Sequence, residues 1–142
     1  MTVKNISTAS PDIKKLFEAA KIARDRSYSP YSKHQVGAAL FTATGDLFSG
    51  CNIENSSFGA TICAERVAIH TAIAALGKTE IRQILVLTDA TPAWPPCGLC
   101  RQVISEFGEN SEIISVNLRG EYRSSPFKVI FPEAFTPAHL SE

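Results

Sequence analysis

Three cysteines in two clusters, Cys63-Ala64-Glu65-Arg66 and Pro95-Pro96-Cys97-Gly98-Leu99-Cys100-Arg101-Gln102, offer the residue types for metal chemistry. Three thiolates around one zinc ion leave a coordination position open, and an open zinc beside a carboxylic acid points to hydrolysis rather than scaffolding. Cys97 and Cys100 stand three apart, a spacing that on the first turn of a helix puts both side chains on one face. Cys63, with 33 residues between it and Cys97, must come from the start of a neighbouring helix. Helix N-termini favour thiolates, because their partial positive charge and free N–H groups stabilise the anion.

Glu65 lies two residues after Cys63, which on a regular helix turns the two side chains apart. At a helix start the objection weakens, because side chains lean toward the N-terminus and converge just beyond it. The reach of a glutamate suits an acid or base beside the metal better than a fourth ligand. Three thiolates and one divalent cation leave one excess negative charge, and such a centre activates water poorly. Arg66, three residues after Cys63, is placed to hydrogen-bond a thiolate sulfur and restore electrophilicity. The same spacing also fits a solvated surface arginine.

Other readings of these cysteines stay open. A lone C-x-x-C serves a thioredoxin-like redox pair, which leaves Cys63 and Glu65 idle. A structural zinc needs a fourth protein ligand, for which Cys51, His34 and His70 are the candidates. By default Cys51 is a small buried hydrophobe and the mid-helix His70 a surface histidine.

The elements that must position these residues follow from periodicity. Ser10-Pro11 forms an N-cap with proline at the first helical position, and Ile13, Leu16, Phe17 and Ala20 predict a helix from about Pro11 to Arg26. Val36 to Thr42 and Leu47 to Asn52 form a hairpin around Thr44-Gly45-Asp46. A helix runs from Cys63 to Leu76 with Thr61 as a possible cap, then a buried strand Ile84 to Leu87 and a helix from Cys97 to Phe107. Strands Ile113 to Val116 and Glu121 to Ser124, the second at an edge, precede a helical or irregular tail from Pro132 to Leu140. This order predicts an α/β fold, a three-layer α/β/α sandwich with a mixed five-stranded sheet. Ligands in such sheets bind at the carboxyl edge, where both cysteine clusters fall.

With 142 residues, 44% of them hydrophobic, the chain suits one domain over residues 1–142, its first ten residues a loose arm. Fourteen basic residues balance fourteen acidic ones, which gives no electrostatic footprint for nucleic acid or an anionic membrane and favours a small-molecule partner. No apolar run approaches the roughly 18 residues of a membrane span, and Met1 to Ser10 lacks the apolar centre of a secretory signal. The expectation is a soluble cytoplasmic protein, where four cysteines serve metal or catalysis rather than disulfides.

The pairing of C-A-E with P-C-x-x-C is similar to the zinc nucleoside and nucleobase deaminase pattern. With Ser29-Pro30-Tyr31-Ser32, Val36-Gly37-Ala38-Ala39-Leu40 and Gly50-Cys51-Asn52-Ile53-Glu54-Asn55, residues 11 to 136 resemble the small homotetrameric cytidine deaminases. The resemblance implies hydrolysis of cytidine and deoxycytidine to uridine and deoxyuridine in pyrimidine salvage, with one zinc per chain held by Cys63, Cys97 and Cys100. Glu65 then takes a proton from water, delivers it to N3 of the pyrimidine as oxygen attacks C4, and helps protonate the leaving amine. Arg66 would support the thiolates. Asn52 and Glu54 would contact sugar hydroxyls, work that an amide and a carboxylate two apart at a strand end also suit without the resemblance. The Ala64 backbone would contact the base, and Phe135, in Phe131-Pro132-Glu133-Ala134-Phe135, would stack on the pyrimidine in a neighbouring subunit's site.

Two residues depart from the family pattern. His34 stands where an aromatic residue usually packs near the base, and Phe58, at the end of the segment Asn52 to Phe58 that the resemblance places along the nucleoside site, stands where tyrosine is common, removing one substrate hydrogen bond. Deamination of another aminopyrimidine nucleoside, or of cytosine in RNA or DNA, shares the core chemistry. Neutral charge and the absence of a basic, aromatic-rich appendage argue against a polynucleotide enzyme. The alternative from another class is a zinc-stabilised binding module in which Cys51 closes a four-cysteine site.

Overall fold

The structure, a computed structural model, describes residues 2–141. In chain order its elements are β1 (Lys4–Asn5), α1 (Pro11–Arg24), β2 (Gly37–Thr42), β3 (Leu47–Cys51), α2 (Ala64–Leu76), β4 (Ile81–Thr88), α3 (Gly98–Phe107), β5 (Glu112–Asn117), β6 (Glu121–Pro126) and α4 (Phe127–Ile130), with three short 3-10 turns. The strands form one mixed sheet in the order β1-β6-β5-β4-β2-β3. Only β4 and β5 run parallel, joined by the α3 crossover.

Alternation along β2 explains the layering, because every one of its residues is buried and successive side chains leave on opposite faces. Ala39 and Phe41 join Ile13, Leu16, Phe17 and Ala20 of α1, together with Leu85, Leu87, Ile114 and Val116, on one face. Ala38 and Leu40 join Ala64, Ala68, Ile69 and Ala72 of α2, Ile104 of α3 and Phe127 of α4 on the other. Each large side chain so buried contributes about 1.5–3 kcal/mol relative to exposure. The expected α/β/α layering is therefore observed.

Helix α1 starts as expected: Ser10 Oγ accepts from Ile13 N at 3.3 Å and Pro11 opens the helix, which ends at Arg24 rather than Arg26. The residue capping α2 is Cys63, not Thr61, and Cys97 likewise caps α3. Neither thiol makes a side-chain cap bond.

Four expectations are corrected. The sheet has six strands rather than five, because Lys4 and Asn5 pair with Tyr122 and Glu121. Residues 4–8 are therefore docked rather than loose, with Ile6 N donating to Gly120 O at 2.8 Å and Ile6 packed on the α1-side core. This pairing moves β6 away from the sheet edge. The tail is preceded by α4, one helical turn that the sequence reading left out.

Gly50 sets the distance between β3 and α2. A Cβ there would lie 2.6 Å from Ala68 N and 2.7 Å from Ala64 O, so any larger residue would push the start of α2, with Cys63 and Glu65, off the sheet.

Candidate metal centre

Strand polarity brings the site together at one end of the sheet. Because β2 runs antiparallel to both β3 and β4, Gly37 pairs with Cys51 on one side and Leu87 on the other. The residues next to these pairs, Val36 and Asn52 just outside their strands and Thr88 at the end of β4, therefore share an edge with the starts of α2 and α3. Between them lies a cavity of about 260 Å³ lined by Ser32, His34, Val36, Asn52, Glu54, Thr61, Ile62, Cys63, Ala64, Glu65, Val86, Thr88, Trp94, Pro95 and Cys97.

The Sγ atoms of Cys63, Cys97 and Cys100 lie within 4.8 Å of one another, and Cys63 and Cys97 are 3.8 Å apart. All four cysteines are free thiols. Among the described residues no histidine, carboxylate or fourth cysteine joins the three sulfurs. Cys51 is partly buried at the end of β3 and His70 is exposed on α2. The donor set has the right chemistry for a zinc ion: three soft sulfurs, convergent and open on the cavity side.

Arg66 Nη2 donates to Cys63 Sγ at 3.5 Å, so its guanidinium turns toward the sulfur cluster. Without metal the Cys63 thiol is pulled down to about 5, by a hydrogen bond from Cys100 and then by Arg66, against the effect of burial. Cys100, the donor in that pair and buried, is pushed up. The Arg66 guanidinium and the neighbouring thiols thus favour the anion at Cys63, the form in which a cysteine binds metal.

Glu65 is 4% exposed although ionisable, and it lines the cavity next to Cys63 and Ala64. Burial, with a smaller push from Cys63, raises its carboxyl to about 7 against a hydrogen bond from its own backbone and the pull of Cys100 and Arg66. A buried carboxyl that changes protonation near neutrality is suited to both accepting and returning a proton.

Asn52 and Glu54 line the same cavity, but each of their side-chain polar atoms already has a partner. Asn52 Oδ1 accepts from Val36 N at 2.9 Å and from Ser27 Oγ, while Nδ2 donates to His34 O at 2.8 Å. Glu54 Oε1 accepts from Tyr31 N at 2.9 Å and Ser32 N at 3.1 Å, and Oε2 accepts from Ser32 Oγ. The Ser32 hydroxyl, with help from those two amides, holds the Glu54 carboxyl below its ordinary range. The pair thereby fastens the segment 27–36 as a wall of the cavity.

Phe58 and Phe135 do not line this chain's cavity. Phe58 is 73% exposed and packs edge-on against Tyr31 at 5.6 Å. Phe135, 56% exposed, stacks on His139 at 5.3 Å.

His34 does stand in the wall, edge-on to Trp94 at 4.9 Å and with Nδ1 3.5 Å from Asp89 Oδ1. Trp94 supplies the aromatic surface next to His34, and the sequence reading missed it. Its signal was its place as the sole tryptophan, three residues before Cys97.

Replacing Cys51 discriminates between an open site and a closed four-cysteine site. Cys51→Ser is expected to keep its zinc and its turnover, measured by metal analysis and product formation; metal loss would mean Cys51 is a ligand.

The model of the cytidine and deoxycytidylate deaminase zinc-binding region matches residues 10–116. A cytidine deaminase of Sporosarcina psychrophila is 40% identical over 131 residues, 92% of this chain and 96% of that protein. One from Halalkalibacterium halodurans is 38% identical over 132 residues, 92% of this chain and 99% of that protein. A crystal structure of cytidine deaminase from Burkholderia pseudomallei superposes with a TM-score of 0.82 at 42% identity, covering 86% of this chain and 98% of that one.

Proposed function

The chain belongs to the cytidine and deoxycytidylate deaminase family, and on that premise we propose that it hydrolyses cytidine and deoxycytidine to uridine and deoxyuridine with release of ammonia. The observation that carries the reading is the buried Glu65 beside three convergent sulfurs in one cavity. Cys63, Cys97 and Cys100 would hold one zinc ion, whose Lewis acidity makes water a competent nucleophile near neutral pH.

The rest of the chemistry falls to this chain's side chains. The Glu65 carboxylate takes a proton from the attacking water and passes it to pyrimidine N3 as the C4–O bond forms. It then shuttles a second proton to the exocyclic nitrogen, so that ammonia leaves when the C4–N bond breaks. Arg66, donating to Cys63 Sγ, draws charge from the thiolates and keeps the centre electrophilic.

Asn52 Nδ2 retains a second N–H and Glu54 Oε2, with Ser32 Oγ its one partner, a second lone pair, enough to hold a sugar hydroxyl as donor and acceptor. The Ala64 backbone, at the cavity wall, would meet the base. Phe58 and Phe135, exposed and outside their own cavity, would act on the substrate in a homotetramer with sites shared between subunits. A species four times the chain mass is expected in sedimentation equilibrium, and a fully active monomer would contradict shared sites.

We place the activity in pyrimidine salvage in the cytoplasm. Among the described residues no helix is long and apolar enough to cross a membrane, and the cavity of about 260 Å³ suits one nucleoside. Cytidine, deoxycytidine, cytosine and a cytidine-containing oligonucleotide, offered in parallel to the purified protein, test the substrate class. The two nucleosides are expected to turn over far faster than the free base or the oligonucleotide; preference for either of the latter would overturn it.

A further inference from the structure

Of the three metal-binding arms, the one ending in Cys97 has the weakest intrinsic support. Cys63 lies beside Arg66, and Cys100 is fully buried on α3. Cys97 is exposed and precedes its helix, so its position depends on the backbone that leads to it. That backbone is Trp94-Pro95-Pro96, and two successive prolines have no N–H with which to anchor it. Upstream the loop is tied by Trp94 N, which donates to Thr88 Oγ1 at 3.2 Å. Between that bond and Cys97 the polar anchor is the Pro96 carbonyl, which accepts from Arg101 Nε at 2.8 Å.

The same guanidinium reaches the other way. Arg101 Nη1 donates to Ile130 O at 2.6 Å, on the last residue of α4. Its neighbour Gln102 donates through Nε2 to Phe135 O at 2.8 Å. The backbone N–H of Arg101 meanwhile donates to Cys97 O at 2.9 Å. One residue thus holds the ligand from the helix side, the ligand loop from the front and the C-terminal segment from behind.

We infer that Arg101 is a positioning residue that locks the Cys97 arm of the metal site to the C-terminal segment, by donating to Pro96 O and Ile130 O at once. The inference rests on the proposed zinc reading. A planar fork of fixed donors spans two carbonyls in a way a lysine ammonium does not reproduce. Because a bridge works in both directions, loosening the C-terminal segment weakens the hold on zinc, and removing zinc loosens that segment.

The test is zinc release from purified protein to a coloured chelator, with Arg101→Met, Arg101→Lys and Gln102→Ala compared with the unaltered chain. Groups that orient metal ligands alter metal affinity by about 10–100-fold. Arg101→Met is therefore expected to release zinc at least about ten-fold faster, Arg101→Lys to fall between it and the wild type, and Gln102→Ala to match the wild type. Fluorescence of Trp94, the sole tryptophan, should shift in the Arg101 variants. Should Arg101→Met not fold, Arg101→Lys decides alone.

Release from Arg101→Lys at the wild-type rate would overturn the bridge, and so would equal acceleration in Gln102→Ala, which would mean general loosening of the tail. A wild-type chain that holds no zinc and takes none up would overturn both this inference and the zinc reading. Zinc held normally by every variant would overturn this inference alone.

Discussion

Glu65→Gln is expected to retain about one zinc per chain, fold normally and lose about 10²–10⁴-fold in kcat, the range contributed by a positioned acid–base group. The amide is nearly isosteric with the carboxyl, so the 4%-exposed position stays filled and no cavity opens in the start of α2. What disappears is the capacity to accept a proton from water and return it to N3 and the leaving amine. Burial that already holds the carboxyl near 7 favours the neutral form, so replacement by a neutral amide costs little stability. Metal analysis on the same sample separates this loss from loss of zinc. Wild-type turnover in a zinc-loaded Glu65→Gln protein would remove Glu65 from the mechanism.

Cys97→Ser carries the second large effect, and it is the cleanest test of the ligand set. Cys100 is fully buried, so its replacement mixes metal loss with core damage. Cys97 is exposed at the cap of α3, and serine caps helices well. Stability of the metal-free fold should therefore change little, while the soft thiolate that zinc prefers is lost. Zinc affinity is expected to fall by more than about a hundred-fold, beyond the effect of altering groups that merely orient ligands, and activity to fall with it. Unchanged zinc content after dialysis against a competing chelator would exclude Cys97 as a ligand.

Much of this site could be read from the chain because its logic is local. The i, i+3 spacing of Cys97 and Cys100 needs only helix geometry to put both on one face, and the C-A-E triplet at a helix start marks an acid beside a ligand. The core needed little more: the apolar spacing of Ile13, Leu16, Phe17 and Ala20 and the short apolar run inside β4 identify buried faces by period alone.

What escaped the sequence reading depends on partners far apart in the chain. Lys4 and Asn5 form a strand only because Glu121 and Tyr122 offer an edge more than a hundred residues later, and two residues carry no period. Asn52 and Glu54 looked like free sugar-binding groups, yet their partners lie 16 to 25 residues earlier in the chain. Trp94 became part of the cavity wall through its bond to Thr88 and its packing on His34. Arg101 had no role of its own in the motif, and only the fold carries Ile130 to its side.

The central claim, hydrolytic deamination dependent on zinc at three cysteines, is tested most directly by ammonia release from cytidine with the same protein before zinc removal, after it, and after reloading. The expected result is ammonia in equal amount to uridine from the zinc-loaded chain, none above background from the stripped chain, and recovery as zinc returns to about one per chain. Turnover unchanged by stripping, or no ammonia from a zinc-loaded chain, would contradict it.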